Sequence, residues 1–387
     1  MKRILILFGF FLLSTPWLQS QELALVVVKK RIGYIDTSGK FAIEPQFRKA
    51  REFSGKFAVA NDGKNWGYIN TKGEWAIEPQ FQRANPFNSG IALVQKDGRW
   101  YYINSENNEI TTPDTDKYFS FNDGVAFIRK DNKIGLINTS GKVVLEPTFE
   151  TIKDFHHGHA KFKDGDKWGL IDKNGKVVVP AEYDEVGTYT SKGNWARKGS
   201  EWGVLNNGKF TPISGVERIY DFRSGSSLTY ARKDGKMGYI NAQGKWAVEP
   251  TFEKARGFNA GIAPVFKEGK WGYIDEQGKV VIDFKYRDAE VAGDNGLAPV
   301  KESKLWGFID KTGTLVIPYE YDISVKMMGF LESGEDKGFQ ENGLAKVRNK
   351  KKWGFINSKG ELLGNTWFDH VENFTDTSKD RVKVFYE

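Results

Sequence analysis

Residues 270–279 read KWGYIDEQGK, and the same phrase returns as KWGLIDKNGK at 167–176 and as KWGFINSKGE at 352–361. Aligned on the Trp column, copies fall at Ile32, Trp66, Trp100, Ile134, Trp168, Trp202, Met237, Trp271, Trp306 and Trp353, spaced by 34 or 35 residues until a last interval of 47. Ten copies at a near-constant period fill the chain beyond residue 20, so it reads as a repeat array whose units pack on their neighbours. Helical repeats of this length need an apolar rhythm of 3.6 residues over two helices. Here the rhythm is two, and 42 glycines in 387 residues exceed the usual ~7 %. A mostly helical chain is excluded.

Each column has a physical reason. Four residues after the Trp column stands Asn or Asp in all ten copies, from Asp36 to Asn357, and three residues later Gly in eight. The short side chain accepts from the backbone N–H two residues on, while Gly supplies a left-handed turn conformation. Pairs such as Asp97-Gly98, Asp234-Gly235 and Glu268-Gly269 precede the phrase and predict two-residue hairpins. The unit is therefore an antiparallel meander: an IALVQ-type strand, a WGYIN strand, a WAIEP strand and a short segment such as QFQRANPF.

On the second strand, Trp271 and Tyr273 face one way and Gly272 and Ile274 the other, with apolar residues on both faces, as in an inner strand covered on each side. Trp stacked on a bare Gly of the adjacent repeat is the expected latch, at Trp66-Gly67, Trp168-Gly169, Trp202-Gly203, Trp271-Gly272, Trp306-Gly307 and Trp353-Gly354. Ala stands eight residues before the Trp column in eight copies, where strands approach closely. Arg381-Val382-Lys383-Val384 repeats the first-strand pattern, an extra strand that reads as a cap. The expected fold is all-β, ten antiparallel meanders stacked as an open superhelical β-solenoid, with a propeller-like closed ring as the alternative.

Residues 1–20, MKRILILFGFFLLSTPWLQS, have the layout of a signal peptide: Lys2 and Arg3, an apolar run Ile4 to Leu13, then Pro16 and Ser20. That run is too short for the ~20 residues of a spanning helix. The array is taken as 21–387, exported to the periplasm, the cell surface or the medium. No cysteine is present, so no disulfide supports it. The net charge of +7 is spread along the chain, and its densest run, Lys346, Arg348, Lys350, Lys351 and Lys352, reads as a solvated strand and turn; no nucleic-acid partner is expected.

The string [KR]-W-G-[YFL]-I-[ND]-x-x-G-[KE], followed by Pro (Pro45, Pro79, Pro147, Pro250), then Phe or Tyr, then Phe-x-x-Gly-x-Ala, resembles the bacterial WG-repeat proteins, also called KWG repeats. The resemblance covers residues 22–387. It departs at Trp100-Tyr101, which lacks the Gly, and at Ile32, Ile134 and Met237, which lack the Trp. It implies a β-rich interaction scaffold without a shared catalytic set.

The chain carries no nucleophile elbow, phosphate loop, H-E-x-x-H or calcium loop. His156, His157 and His159 cluster in one loop and read as loop polarity rather than metal ligands. No catalytic residue, metal or cofactor is assigned, and the protein is expected not to be an enzyme. Two tryptophans outside the repeat columns, Trp195 and Trp367, are candidate surface platforms. Met327 and Met328, in the insertion at about 325–340, suit an adaptable contact. The expected function is an exported scaffold for an unidentified protein or peptide partner, the alternative a carbohydrate-binding or wall-associated module with a glycan ligand.

Overall fold

The structure, a computed structural model, describes residues 21–380 except 207, 224, 324–325, 328–329 and 332–336. The expected signal peptide, the expected cap at 381–384 and Met328 lie outside the described residues. Every Trp-column position, from Ile32 to Trp353, lies on a β-strand. The fold is all-β, built of antiparallel meanders, most of them four-stranded.

The Trp271 unit shows how local chemistry makes one sheet. Strands Lys254–Ala255, Ile262–Lys267, Lys270–Asp275 and Val280–Tyr286 hydrogen-bond in that order. The short segment after one phrase thus joins the sheet of the next unit. Glu268 and Gly269 both take positive φ, 51° and 81°, closing the first hairpin. In the second turn, Asp275 Oδ1 accepts from Gln277 N at 3.1 Å and Lys279 N at 2.9 Å, and Gly278 has φ 82°. Where the turn glycine is replaced, Asn107 takes φ 64°, the substitute that tolerates this region best.

The same turn chemistry holds the Asp310 carboxyl below its ordinary range, through the Thr312 hydroxyl first and then, against desolvation, the N–H groups of Thr314 and Thr312. A depressed folded-state pKa adds stability that is present above the unfolded value of ~3.9 and is lost as pH falls through the folded value. A carboxyl-carbon NMR titration should give Asp310 a midpoint below that of an unstructured aspartate. A midpoint at or above it would contradict this turn.

The third strand corrects the expected role of the phrase glycine. Trp66 pairs with Phe81 and Tyr68 with Ile77, so the single residue Gly67 on one strand faces three on the other. The bulge at Glu78-Pro79-Gln80 lays its backbone over Gly67, where a Cβ would come within 2.6 Å of Ile77 O and 2.8 Å of Pro79 N. Third strands of their own units likewise cover Gly169, Gly203, Gly272 and Gly307, and Leu362 and Trp367 cover Gly354. The bare surface serves a close backbone approach within the unit; it is not a seat for a neighbour's indole. At Trp100-Tyr101 the third strand is only Glu109–Ile110, paired in plain register with Tyr102 and Ile103. The copy that lacks the glycine also lacks the bulge; the Trp202 copy pairs in plain register too, yet the backbone of its third strand still lies against Gly203.

Units lock through the opposite face. One cluster joins Trp271, Tyr273 and Ile282 to Ala289, Ala298, Val300 and Ile309 of the following unit. The Trp/Tyr face of each unit therefore meets the Ala/Ile face of the next. Trp271, Trp306 and Trp353 are buried in such seams, while Trp66, Trp168 and Trp202 are half-buried. Cations cover several rings, Arg256 lying 4.4 Å from the Trp271 centroid and Lys301 5.5 Å from that of Trp306.

The Tyr two residues after the column adds a polar tie between units. Tyr34, Tyr68, Tyr102, Tyr239 and Tyr273 each donate the phenolic O–H to a backbone carbonyl 17 residues on, Tyr273 to Glu290 O at 2.8 Å. Burial of these rings raises their pKa values, that of Tyr273 well above the ordinary value. Tyr273→Phe should cost about 1 kcal/mol in a urea unfolding experiment, because Phe308 and Phe355 already occupy this column. A neutral change would remove the tie from the account.

The two ends of the array meet. His370–Val371 and Thr375–Asp376 pair antiparallel with Glu22–Val28, as Lys254–Ala255 pairs with Ile262–Lys267 elsewhere. Ala24, Val26 and Ile35 share a core with Trp353, Phe355, Phe368 and Val371. These are the columns of Ala298, Val300, Ile309, Trp306 and Phe308. Among the described residues, the edge of the first strand that an open stack would leave free is paired by the segment 370–376.

Candidate interaction face

The repeated columns are committed to turns, bulges and seams, so residues that differ from unit to unit sit in the connections. One set, between each short strand and the next first strand, is tied loop to loop. Gly124 N donates to Ser89 Oγ at 2.8 Å, Gly158 N donates to the Asp123 carboxylate, and Asn122 Nδ2 donates to Phe155 O at 3.1 Å. Asn259 Nδ2 reaches both Ala292 O and Asp294 Oδ1 at 2.9 Å. Gly90 N donates to Asp380 Oδ2 at 3.2 Å, a contact across 290 residues. Positive φ at Ser89, Asp123, His157 and Ala260, each followed by a glycine, gives these loops one shape while their side chains vary.

The histidine loop belongs to this row. His156 and His159 exchange backbone hydrogen bonds, and the His159 ring stacks on Tyr189 with centroids 3.6 Å apart. Desolvation pulls the His156 pKa down, against the opposing charge of Asp154. Among the described residues no group of three or more His, Asp or Glu side chains is placed to hold a metal.

The platform candidates are set in packing. Trp195 is half-buried on strand Trp195–Lys198, its Nε1–H donating to Asp221 Oδ1 at 2.7 Å and its ring 5.1 Å from that of Trp202. Trp367 lies over Gly354, 6.5 Å from the Tyr321 ring. Of Met327 only the backbone is described, in the strand Lys326–Met327 paired with Phe330–Leu331. Nearby, Glu290 is 1 % exposed and sits 3.1 Å from Arg256 and 2.8 Å from Lys337, which fixes the end of the insertion to the seam. Sequence reading missed the Tyr column and the loop row; Tyr two residues past the column in five copies was the available signal.

No helix among the described residues is long and apolar enough to cross a membrane. No curated protein matches the chain. Solved structures similar to it include a eukaryotic initiation factor, 10 % identical with a TM-score of 0.46, covering 92 % of this chain and 98 % of that one. PorZ, a surface component of the type-IX secretion system of Porphyromonas gingivalis, is 11 % identical with a TM-score of 0.24, covering 91 % of this chain and 59 % of that one. The Neurospora crassa Pan2 WD40 domain is 11 % identical with a TM-score of 0.27, covering 65 % of this chain and 84 % of that one. Likeness this loose carries no functional argument. The family model described as WG containing repeat matches residues 32–65, 66–100, 102–133, 134–168, 168–197, 237–271, 271–306 and 306–323, more than half of the sequence, and the chain belongs to that family.

Proposed function

We propose that the protein is an exported, non-enzymatic scaffold of ten units closed into a propeller-like ring, and that it binds a protein or peptide partner across the loop row. The observation that carries this reading is the division of labour along the repeat. Trp, Tyr, Gly, Ala and Asx columns are spent on the fold, whereas loops such as Asn88-Ser89, Asn122-Asp123 and His156-His157 vary on a rigid, mutually bonded frame, the usual placement of recognition residues. Support for closure comes from the first and last units repeating the seam that joins neighbours elsewhere. The layout of residues 1–20 supports export.

The test is affinity capture with the purified protein and with a variant whose Asn88-Ser89, Asn122-Asp123 and His156-His157 pairs are changed to Gly-Ser. The reading predicts a captured protein that binds the native loops directly and is released by the loop variant, whose circular dichroism spectrum stays native although the lost Asn122 and Asp123 ties lower its melting temperature. Catalytic turnover by the purified protein, or capture indifferent to the loops, would overturn it.

A further inference from the structure

The Trp column is interrupted at Met237, and beside it opens a cavity of about 310 Å³ walled by Tyr220, Tyr230, Arg232, Met237, Glu253 and Lys254. Strand register identifies what stands there in the following unit. Met237 faces Arg232 and Phe252 across its sheet as Trp271 faces Phe266 and Tyr286. Tyr220, whose N–H donates to Tyr230 O at 3.2 Å, holds the place of Arg256, whose N–H donates to Pro264 O at 3.1 Å. The Trp271 unit fills the spot with an indole between Phe266, 5.4 Å away, and Arg256, 4.4 Å away.

The Met237 unit instead offers a thin thioether and two tyrosines stacked with centroids 4.4 Å apart and planes at 27°. The Arg218 guanidinium lies 5.0 Å from the Tyr220 ring. At the rim, Arg232 Nε is 3.1 Å from Glu217 Oε2, and Lys254 Nζ lies 4.8 Å from the Phe266 ring. Aromatic walls with cations at the mouth suit a flat π-system, which gains from ring–ring and cation–ring contact. Met237 stands where the following unit carries an indole, and the cavity opens beside it.

We propose that this notch receives an aromatic side chain, an indole foremost, from a polypeptide partner. The inference rests on the scaffold reading above and names the chemistry of one contact. Its test is a ligand-observed NMR titration of the purified protein with N-acetyl-L-tryptophanamide, with N-acetyl-L-alaninamide and glucose as parallel probes. Tryptophanamide should saturate and the other two should not. Met237→Trp, which supplies the ring from the chain itself, should weaken tryptophanamide at least ten-fold with an unchanged circular dichroism spectrum. Tyr220→Arg, which restores the neighbouring unit's residue, should weaken it too and serves if Met237→Trp disturbs folding. Absence of saturation, equal binding by folded variants, or saturation by glucose instead would overturn the notch. A captured partner retained by Met237→Trp and released by the loop variant would also overturn the notch, with the scaffold reading intact.

Discussion

Gly67→Ala is expected to lower stability by about 2–3 kcal/mol, the upper part of the range for forcing atoms into a packed site. The added Cβ would lie 2.6 Å from Ile77 O and 2.8 Å from Pro79 N. Both are backbone atoms of the bulged strand, so no side-chain rotation relieves the contact. Gly67 is not in the left-handed region, so the effect is steric. Gly235→Ala makes the contrast, since a Cβ there meets nothing within 4 Å and its φ of 71° leaves conformational strain alone. Urea denaturation of the two variants separates the causes. If Gly67→Ala were as stable as the native protein, the bulge would not be what the glycine serves.

Phe368→Ala is expected to cost about 3–5 kcal/mol, the usual range for truncating a buried ring, and to be felt at both ends of the chain. Phe368 is 2 % exposed, packs in the cluster holding Ala24, Val26 and Trp353, and meets the Phe41 ring edge-on at 6.2 Å. Its N–H and carbonyl also pair with Trp353. Amide exchange followed by mass spectrometry should therefore quicken over Glu22–Val28 as well as over 352–356. Acceleration confined to the C-terminal units would mean that the ends do not support each other.

The sequence disclosed what is local. Asp275 and Gly278 fix a turn within four residues, and Glu268-Gly269 fixes a hairpin within two, so their columns translate directly into the observed geometry. Gly67 was misassigned because its function depends on a register shift in a strand ten residues later, which alternation alone does not reveal. The Glu78-Pro79 step was the available clue, since Pro lacks the N–H that a regular ladder uses. The meeting of the ends was also legible in principle. Phe368, His370, Val371 and Phe374 repeat the pattern of Phe252, Lys254, Ala255 and Phe258, a segment that always leads onto a first strand. The first strand without such a predecessor is Glu22–Val28. Weighing the extra pattern at 381–384 as a cap obscured that match.

The candidate surface was less readable. Trp195 and Trp367 stood out by falling outside the columns, yet each ring is engaged, one by Asp221 and Trp202 and the other over Gly354. The loop row carries no composition signal, because Asn, Ser, Asp and Gly are ordinary turn residues. Its coherence comes from hydrogen bonds about 33 to 35 residues apart in sequence, visible only once the units are stacked.

The pairing of Val27 with His370 permits the most direct test that the array closes. Facing residues in antiparallel strands have Cα atoms ~4.5–5.5 Å apart, within the span of a disulfide, and the chain has no cysteine of its own. In the double variant Val27→Cys, His370→Cys, mild oxidation should convert monomer quantitatively to an internally linked form that carries no free thiol and melts higher than its reduced state. Two free thiols, or linkage only between molecules, would contradict the closed array and the seam on which it depends.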